Sequence, residues 1–110
     1  MAELMKIKTD FGTYEDISIS VSKYCQGDRL AIMLNSMNEG PFTSLTVNLP
    51  EIAIKKNQAF VDTNNCTWAP EFIEQYSLGK ATGVYGESGF CRYPLYEFDM
   101  DKIQKFVRRV

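Results

Sequence analysis

Asp16-Ile17-Ser18-Ile19-Ser20-Val21-Ser22 places Ile17, Ile19 and Val21 on one side of an extended chain and four polar residues on the other. A period of two with a wholly polar second face marks a strand that packs one face on a core and turns the other to water. Just upstream, Met5 to Thr9 sets Met5, Ile7 and Thr9 on one face between Lys6 and Lys8. Asp10-Phe11-Gly12 is a turn, so the two stretches form a hairpin, with Phe11 to Glu15 leaving its register open.

Downstream, Gln26-Gly27-Asp28 precedes Leu30-Ala31-Ile32-Met33-Leu34, apolar on both sides, which predicts a central strand covered on both faces. Asn38-Glu39-Gly40-Pro41 turns the chain into a strand over Phe42 to Leu49, where Leu45, Val47 and Leu49 alternate with Ser44, Thr46 and Asn48. Leu49-Pro50 ends that strand, and a shorter one follows at Ala59 to Asp62.

A first helix is expected near Trp68 to Leu78, capped by Thr67 or Asn65, with Pro70 in its first turn and Gly79 as its stop. Phe72, Ile73 and Tyr76 form its apolar stripe. The glycine-rich stretch with Gly79, Gly83, Gly86 and Gly89 leads to a strand around Cys91 to Phe98, where Pro94 demands an edge or a bulge. A last helix is capped by Asp99 and carries Ile103, Phe106, Val107 and Val110 at helical spacing. The expectation is one α+β domain over residues 1–110: a curved antiparallel sheet of five to six strands with two helices packed on one face.

Composition supports an autonomous domain. The 110 residues are 45% hydrophobic and 24% charged, enough apolar material to close a core without a metal or disulfide. No apolar run reaches the ~20 residues of a membrane-spanning helix. Met1 to Lys6 has no charged leader followed by a long apolar stretch. Cys25, Cys66 and Cys91 are widely separated and form no even set, as expected of reduced thiols in a cytoplasmic protein. The net charge of −2 argues against general nucleic-acid binding, although Asp99 to Val110 carries +2 through Lys102, Lys105, Arg108 and Arg109.

The chain has no histidine, which removes Ser-His and Cys-His pairs and His-containing zinc sites. Gly79-Lys80-Ala81-Thr82 lacks the first glycine of a phosphate loop, because Glu74 stands there, and it follows a helix where that loop must precede one. Gly86-Glu87-Ser88-Gly89-Phe90 lacks the closing glycine of a nucleophile elbow. Asp62-Thr63-Asn64-Asn65 begins like a calcium loop, but Cys66, Thr67 and Ile73 occupy positions that need an oxygen ligand, a glycine and a glutamate. No catalytic residue, cofactor or metal ligand is therefore assigned. Carboxylates such as Asp62, Glu71, Glu74 and Glu87 keep a small histidine-free enzyme open as a third function class.

Eight rings from Trp68 to Phe98 supply the remaining signal. Either they pack the first helix on the final strands, or a subset is displayed by the glycine segment as a binding patch. The second reading assigns Tyr85, Phe90, Arg92 and Tyr93, within a recognition loop over Gly83 to Tyr93, to protein binding.

Ala59-Phe60-Val61-Asp62-Thr63-Asn64-Asn65, Trp68-Ala69 and Ser88-Gly89-Phe90-Cys91-Arg92-Tyr93-Pro94-Leu95-Tyr96, with Asn48-Leu49-Pro50, resemble an uncharacterised family of small proteins. Its members are encoded by gut Firmicutes and their relatives, often on conjugative elements and phages. The resemblance implies accessory cargo of mobile DNA and brings no activity, cofactor or site residue with it. The resulting expectation is a non-enzymatic accessory protein that binds another protein, as a regulator or inhibitor of a host system. A nucleic-acid-associated factor of a mobile element is the alternative.

Overall fold

The computed structural model describes residues 3–107. Arg108, Arg109 and Val110 of the expected final helix lie outside the described residues. The fold is α+β, with antiparallel sheets and, among the described residues, two short helices. Among the described residues there are eight strands in two four-stranded sheets, where the sequence suggested five or six in one.

The first sheet has the order β1-β2-β3-β4, comprising Met5–Thr9, Gly12–Lys23, Leu30–Ser36 and Gly40–Ser44. The open register of the first hairpin resolves into Thr9↔Gly12, Lys8↔Thr13 and Ile7↔Tyr14, with an irregularity before Met5↔Ile17. Met5, Ile7, Ile17 and Ile19 are buried, as the alternation requires. On the other face of β2, Ser18 is also buried while Ser20 and Ser22 are exposed. The strand β3 is central, with Ile32 and Leu34 fully buried. Its second face is covered less fully than expected, for Ala31 is buried but Met33 only half-buried.

The single strand expected from Phe42 to Leu49 is broken at Leu45. β4 ends at Ser44, and β5, Thr46–Val47, belongs to the second sheet. Leu45 joins the two sheets: its N–H donates to the Ile32 carbonyl at 2.9 Å, and its own carbonyl accepts from Asp62 N at 2.9 Å. Thr46, polar and expected outside, is buried because its hydroxyl accepts from Ile32 N at 3.1 Å and pairs with the Tyr24 hydroxyl at 2.8 Å. Satisfying both groups removes the usual penalty for burying a hydroxyl.

The second sheet has the order β5-β6-β8-β7, with β6 at Gln58–Val61, β7 at Gly79–Ser88 and β8 at Cys91–Phe98. β8 is internal, not an edge. Its pairing with β6 runs only from Gln58↔Glu97 to Phe60↔Leu95 and stops before Pro94, which therefore interrupts no ladder on that side. On the other side, β7 bulges between Ala81 and Tyr85. Gly83 takes φ +87 there, and Thr82 Oγ1 donates to Leu95 O at 3.0 Å while accepting from Val84 N at 3.2 Å.

Helix α1, Ala69–Gln75, contributes Phe72 and Ile73 to the core. Neither Thr67 nor Asn65 caps it: the N-cap is Trp68, with no side-chain cap bond. Gly79 is not its stop either. Ser77, at φ +53, is the left-handed residue; Ser77 N donates to Glu74 O and Leu78 N to Ile73 O, which places the stop two residues earlier. Helix α2, Met100–Gln104, is capped as expected, with Asp99 Oδ1 accepting from Asp101 N at 3.1 Å and Lys102 N at 3.2 Å.

One main core draws Ile17, Ile32 and Leu34 from the first sheet, Val61, Tyr96 and Phe98 from the second, and Phe72, Ile73 and Ile103 from the helices. A chain of ring contacts, Tyr14–Phe42–Trp68–Phe72–Tyr76–Phe106, runs along one side of it with centroids 4.8 to 6.3 Å apart. The helix rings thus meet Phe42 of the first sheet and Phe106, and they share the main core with Tyr96 and Phe98 of β8. The Tyr76 hydroxyl also accepts from Lys6 N at 2.7 Å, capping the open edge of β1.

Candidate functional site

The segment expected as a recognition loop is a β-hairpin. Pairing runs Tyr85↔Pro94, Gly86↔Tyr93, Glu87↔Arg92 and Ser88↔Cys91, and leaves Gly89-Phe90 as a two-residue turn. Gly89 sits at φ +61, the left-handed first position that a type II′ hairpin turn requires. The glycines therefore serve local geometry rather than a mobile loop. Gly83 forms the bulge and Gly89 the turn, while Gly86 lets a second small core close over it.

That second core joins Leu49, Phe60 and Leu95, flanked by Val47, Ile52, Ile54 and Tyr93. A Cβ at Gly86 would lie 2.7 Å from Leu49 Cδ1, 2.8 Å from Phe60 Cε1 and 3.0 Å from Ile52 Cδ1. The chain after β5 folds down on this face of the hairpin and needs a residue without a side chain beneath it.

Strand alternation then divides the four predicted residues. Tyr93 lies opposite Gly86, on the face that closes the second core, and is half-buried there. Tyr85 and Arg92 lie on the other face, together with Glu87 and Pro94. The Arg92 guanidinium carbon stands 4.1 Å above the centre of the Tyr85 ring, a cation–π stack that fixes both side chains. Tyr85 is 50% exposed, and Phe90, at the tip, is fully exposed. Three of the four thus share an accessible end of the hairpin, and the fourth holds it to the body.

Electrostatically the hairpin presents neutral rings. The Tyr93 phenol is pushed up, chiefly by hydrogen bonding with Cys91, and the Tyr96 phenol by burial with smaller effects of Tyr85 and Glu74. Both shifts hold the hydroxyls protonated. Of the thiols, Cys25 is exposed, Cys91 half-buried and Cys66 buried, where desolvation pushes its titration up. Among the described residues no group of three or more acidic or thiol side chains is placed to hold a metal ion. No helix of the described residues is long and apolar enough to cross a membrane.

Glu87 and Pro94 belong to the Tyr85–Arg92 face and were missed in the sequence. The signal that finds them is the Gly-Phe pair at 89–90: read as a two-residue turn, it fixes the register and thereby the face of every neighbour.

The fold and the hairpin define a small α+β domain of two joined antiparallel sheets with an aromatic and arginine-bearing arm. The chain belongs to the family described as "Domain of unknown function (DUF4313)", whose model matches residues 18–110. That span begins within β2 and includes the whole hairpin. No curated protein and no solved structure matches the chain.

Proposed function

We propose that this is a non-enzymatic protein-binding module, and that the end of the β7–β8 hairpin is its contact surface. The observation that carries the reading is the exposed Phe90 at a rigid turn beside the stacked Tyr85–Arg92 pair. Rings and arginines held in one geometry lose little entropy on binding, and such residues supply most of the energy at protein interfaces. The type II′ turn and the cation–π stack provide that order before any partner arrives.

The biological setting we infer is that of an accessory protein of a mobile genetic element, acting on a host protein as regulator or inhibitor. This part rests on the resemblance described above and on no feature of the site.

The reading is tested by Phe90→Ala and Arg92→Ala in capture experiments from native lysate, with thermal melts on the same samples. Phe90 buries nothing, so its loss should leave the melt unchanged while partner capture weakens by ~2 kcal/mol, a factor of about thirty. Unchanged capture by both variants would refute the assignment. Tyr93→Ala should behave differently and lower stability first, because that ring closes the second core.

A further inference from the structure

We propose that a second site, lined by no residue of the hairpin among those described, binds a phosphate monoester carried on a non-aromatic body. It is the groove between the end of the β2–β3 hairpin and the Ala53–Gln58 segment. Its volume is about 750 Å³, inside the ~300–1,000 Å³ range of small-ligand sites.

Charge is the first argument. Lys23 and Arg29 stand on one wall, Lys55 and Lys56 on the other, against one carboxylate among the described lining residues, Asp28. The chain as a whole carries −2, so this concentration of cations runs against the background. Among the described residues the ion pair is Lys6–Glu15, and none of the groove lysines takes part in it. Unpaired cations on both walls of a concavity focus a positive potential where an anion can touch both.

Rigidity is the second. Arg29 Nη1 donates to Leu49 O at 2.8 Å and Nη2 to Pro50 O at 3.2 Å, tying the β2–β3 turn to the chain that leads into the opposite wall. On that wall Lys55 N donates to Gln58 Oε1 at 2.9 Å and Gln58 N to Lys55 O at 3.2 Å. Phe98 N donates to Asn57 O at 2.8 Å. The lysines therefore rise from backbone that is already fixed, as a preformed site requires.

The lining selects the ligand class. Arg29 is committed to carbonyls, so lysine ammonium groups supply the available charge, and these bind phosphate as point charges without a planar fork. A dianionic monoester answers several lysines better than one carboxylate does. The apolar lining is Val21, Leu30, Ala53, Ile54 and Met100, with no aromatic ring among the described residues. A base-stacking ligand has no platform there, whereas an aliphatic or sugar body fits.

The full chain is titrated at low ionic strength with glucose 6-phosphate, glucose, sodium sulfate and vesicles containing phosphatidic acid, and followed by backbone amide shifts. Glucose 6-phosphate should move the amides of Lys23, Arg29 and Lys55–Gln58, and glucose should move none. The double change Lys55→Gln, Lys56→Gln should weaken binding at least about tenfold. Both side chains are exposed, so the melting temperature should stay unchanged. Lys8→Gln, outside the groove, should bind like the parent. A groove response to vesicles as well, or to vesicles alone, supports monoester recognition and makes a lipid its source. No groove response to either monoester overturns the proposal. So does an equal response to sulfate, or unweakened binding by the double variant.

Discussion

Replacing Gly86 by alanine adds one methyl group where three carbons already crowd the empty position. The new Cβ would meet Leu49 Cδ1 at 2.7 Å, Phe60 Cε1 at 2.8 Å and Ile52 Cδ1 at 3.0 Å, all well inside the ~3.5–4.0 Å of favourable carbon–carbon contact. Phe60 is fully buried between β5 and β8, so its ring has little room to retreat. Overpacking of this kind costs ~1–3 kcal/mol. The backbone works the other way: Gly86 has no left-handed φ, and alanine restricts the unfolded chain, a gain of ~0.4–1 kcal/mol. Net destabilisation of about 1–2 kcal/mol is expected, read in urea as a midpoint lowered by ~0.5–1 M at unchanged slope. Leu49→Ala alone should cost ~2–5 kcal/mol. In the Gly86→Ala background it should cost about 1 kcal/mol less, because the added methyl and the vacated space compensate. A more stable Gly86→Ala protein, or strictly additive effects in the double variant, would refute the account of why this glycine is there.

Leu34→Ala, at a fully buried position of central β3, should lower stability by ~2–5 kcal/mol in the same assay; a loss under half a kilocalorie would remove β3 from the core. Ser77→Gly should raise stability by ~0.5–1 kcal/mol, since a left-handed φ of +53 is costly for serine and free for glycine; no gain would show the helix end to be unstrained. Asp16 accepts from Ser36 Oγ at 2.6 Å and Asn38 N at 3.0 Å, and these bonds hold its carboxylate below the usual range. A lowered folded value means that its contribution is complete above the unfolded value of about 3.8 and is lost as pH falls through the folded one. Asp16→Asn should therefore lose stability less steeply than the parent below about pH 4, and parallel acid profiles would count against the interaction.

How far the sequence could be read follows from how local each signal is. The strand over Ile17, Ile19 and Val21 and the Asp99 cap depend on neighbours in the chain, and both appear in the structure, although Ser18 is buried and Val21 only half-buried. The break at Leu45 does not, since there the N–H is taken by Ile32 of the first sheet and the carbonyl by Asp62, just past β6 of the second. Periodicity continues smoothly through such a point, so Phe42 to Leu49 reads as one strand. Glycine misled for a related reason. Gly86 answers to Leu49 and Phe60, distant in sequence, and an absent side chain leaves no trace of the partner that required its absence. Within the candidate site, residue types were visible in advance but faces were not. Tyr93 resembles Tyr85 until the turn at Gly89-Phe90 fixes the register and sends the two rings to opposite sides.

The position of β8 inside the second sheet has a consequence for how the chain is made. β6 lies next to β8 in space and is separated from it in sequence by α1 and β7, so its partner leaves the ribosome some thirty residues after it does. The first sheet waits as well: Ile19 N donates to Phe106 O at 2.8 Å and Glu3 N to Lys105 O at 3.0 Å. Neither sheet can acquire its full set of partners while residues beyond Cys91 are still inside the exit tunnel. A nascent chain halted at α1 holds a half-paired β6 and an uncapped β1, both open to pairing with other chains. Folding of this domain is therefore completed only once β8 and α2 have cleared the tunnel, and slow translation of that stretch prolongs the interval in which the domain is most prone to aggregate.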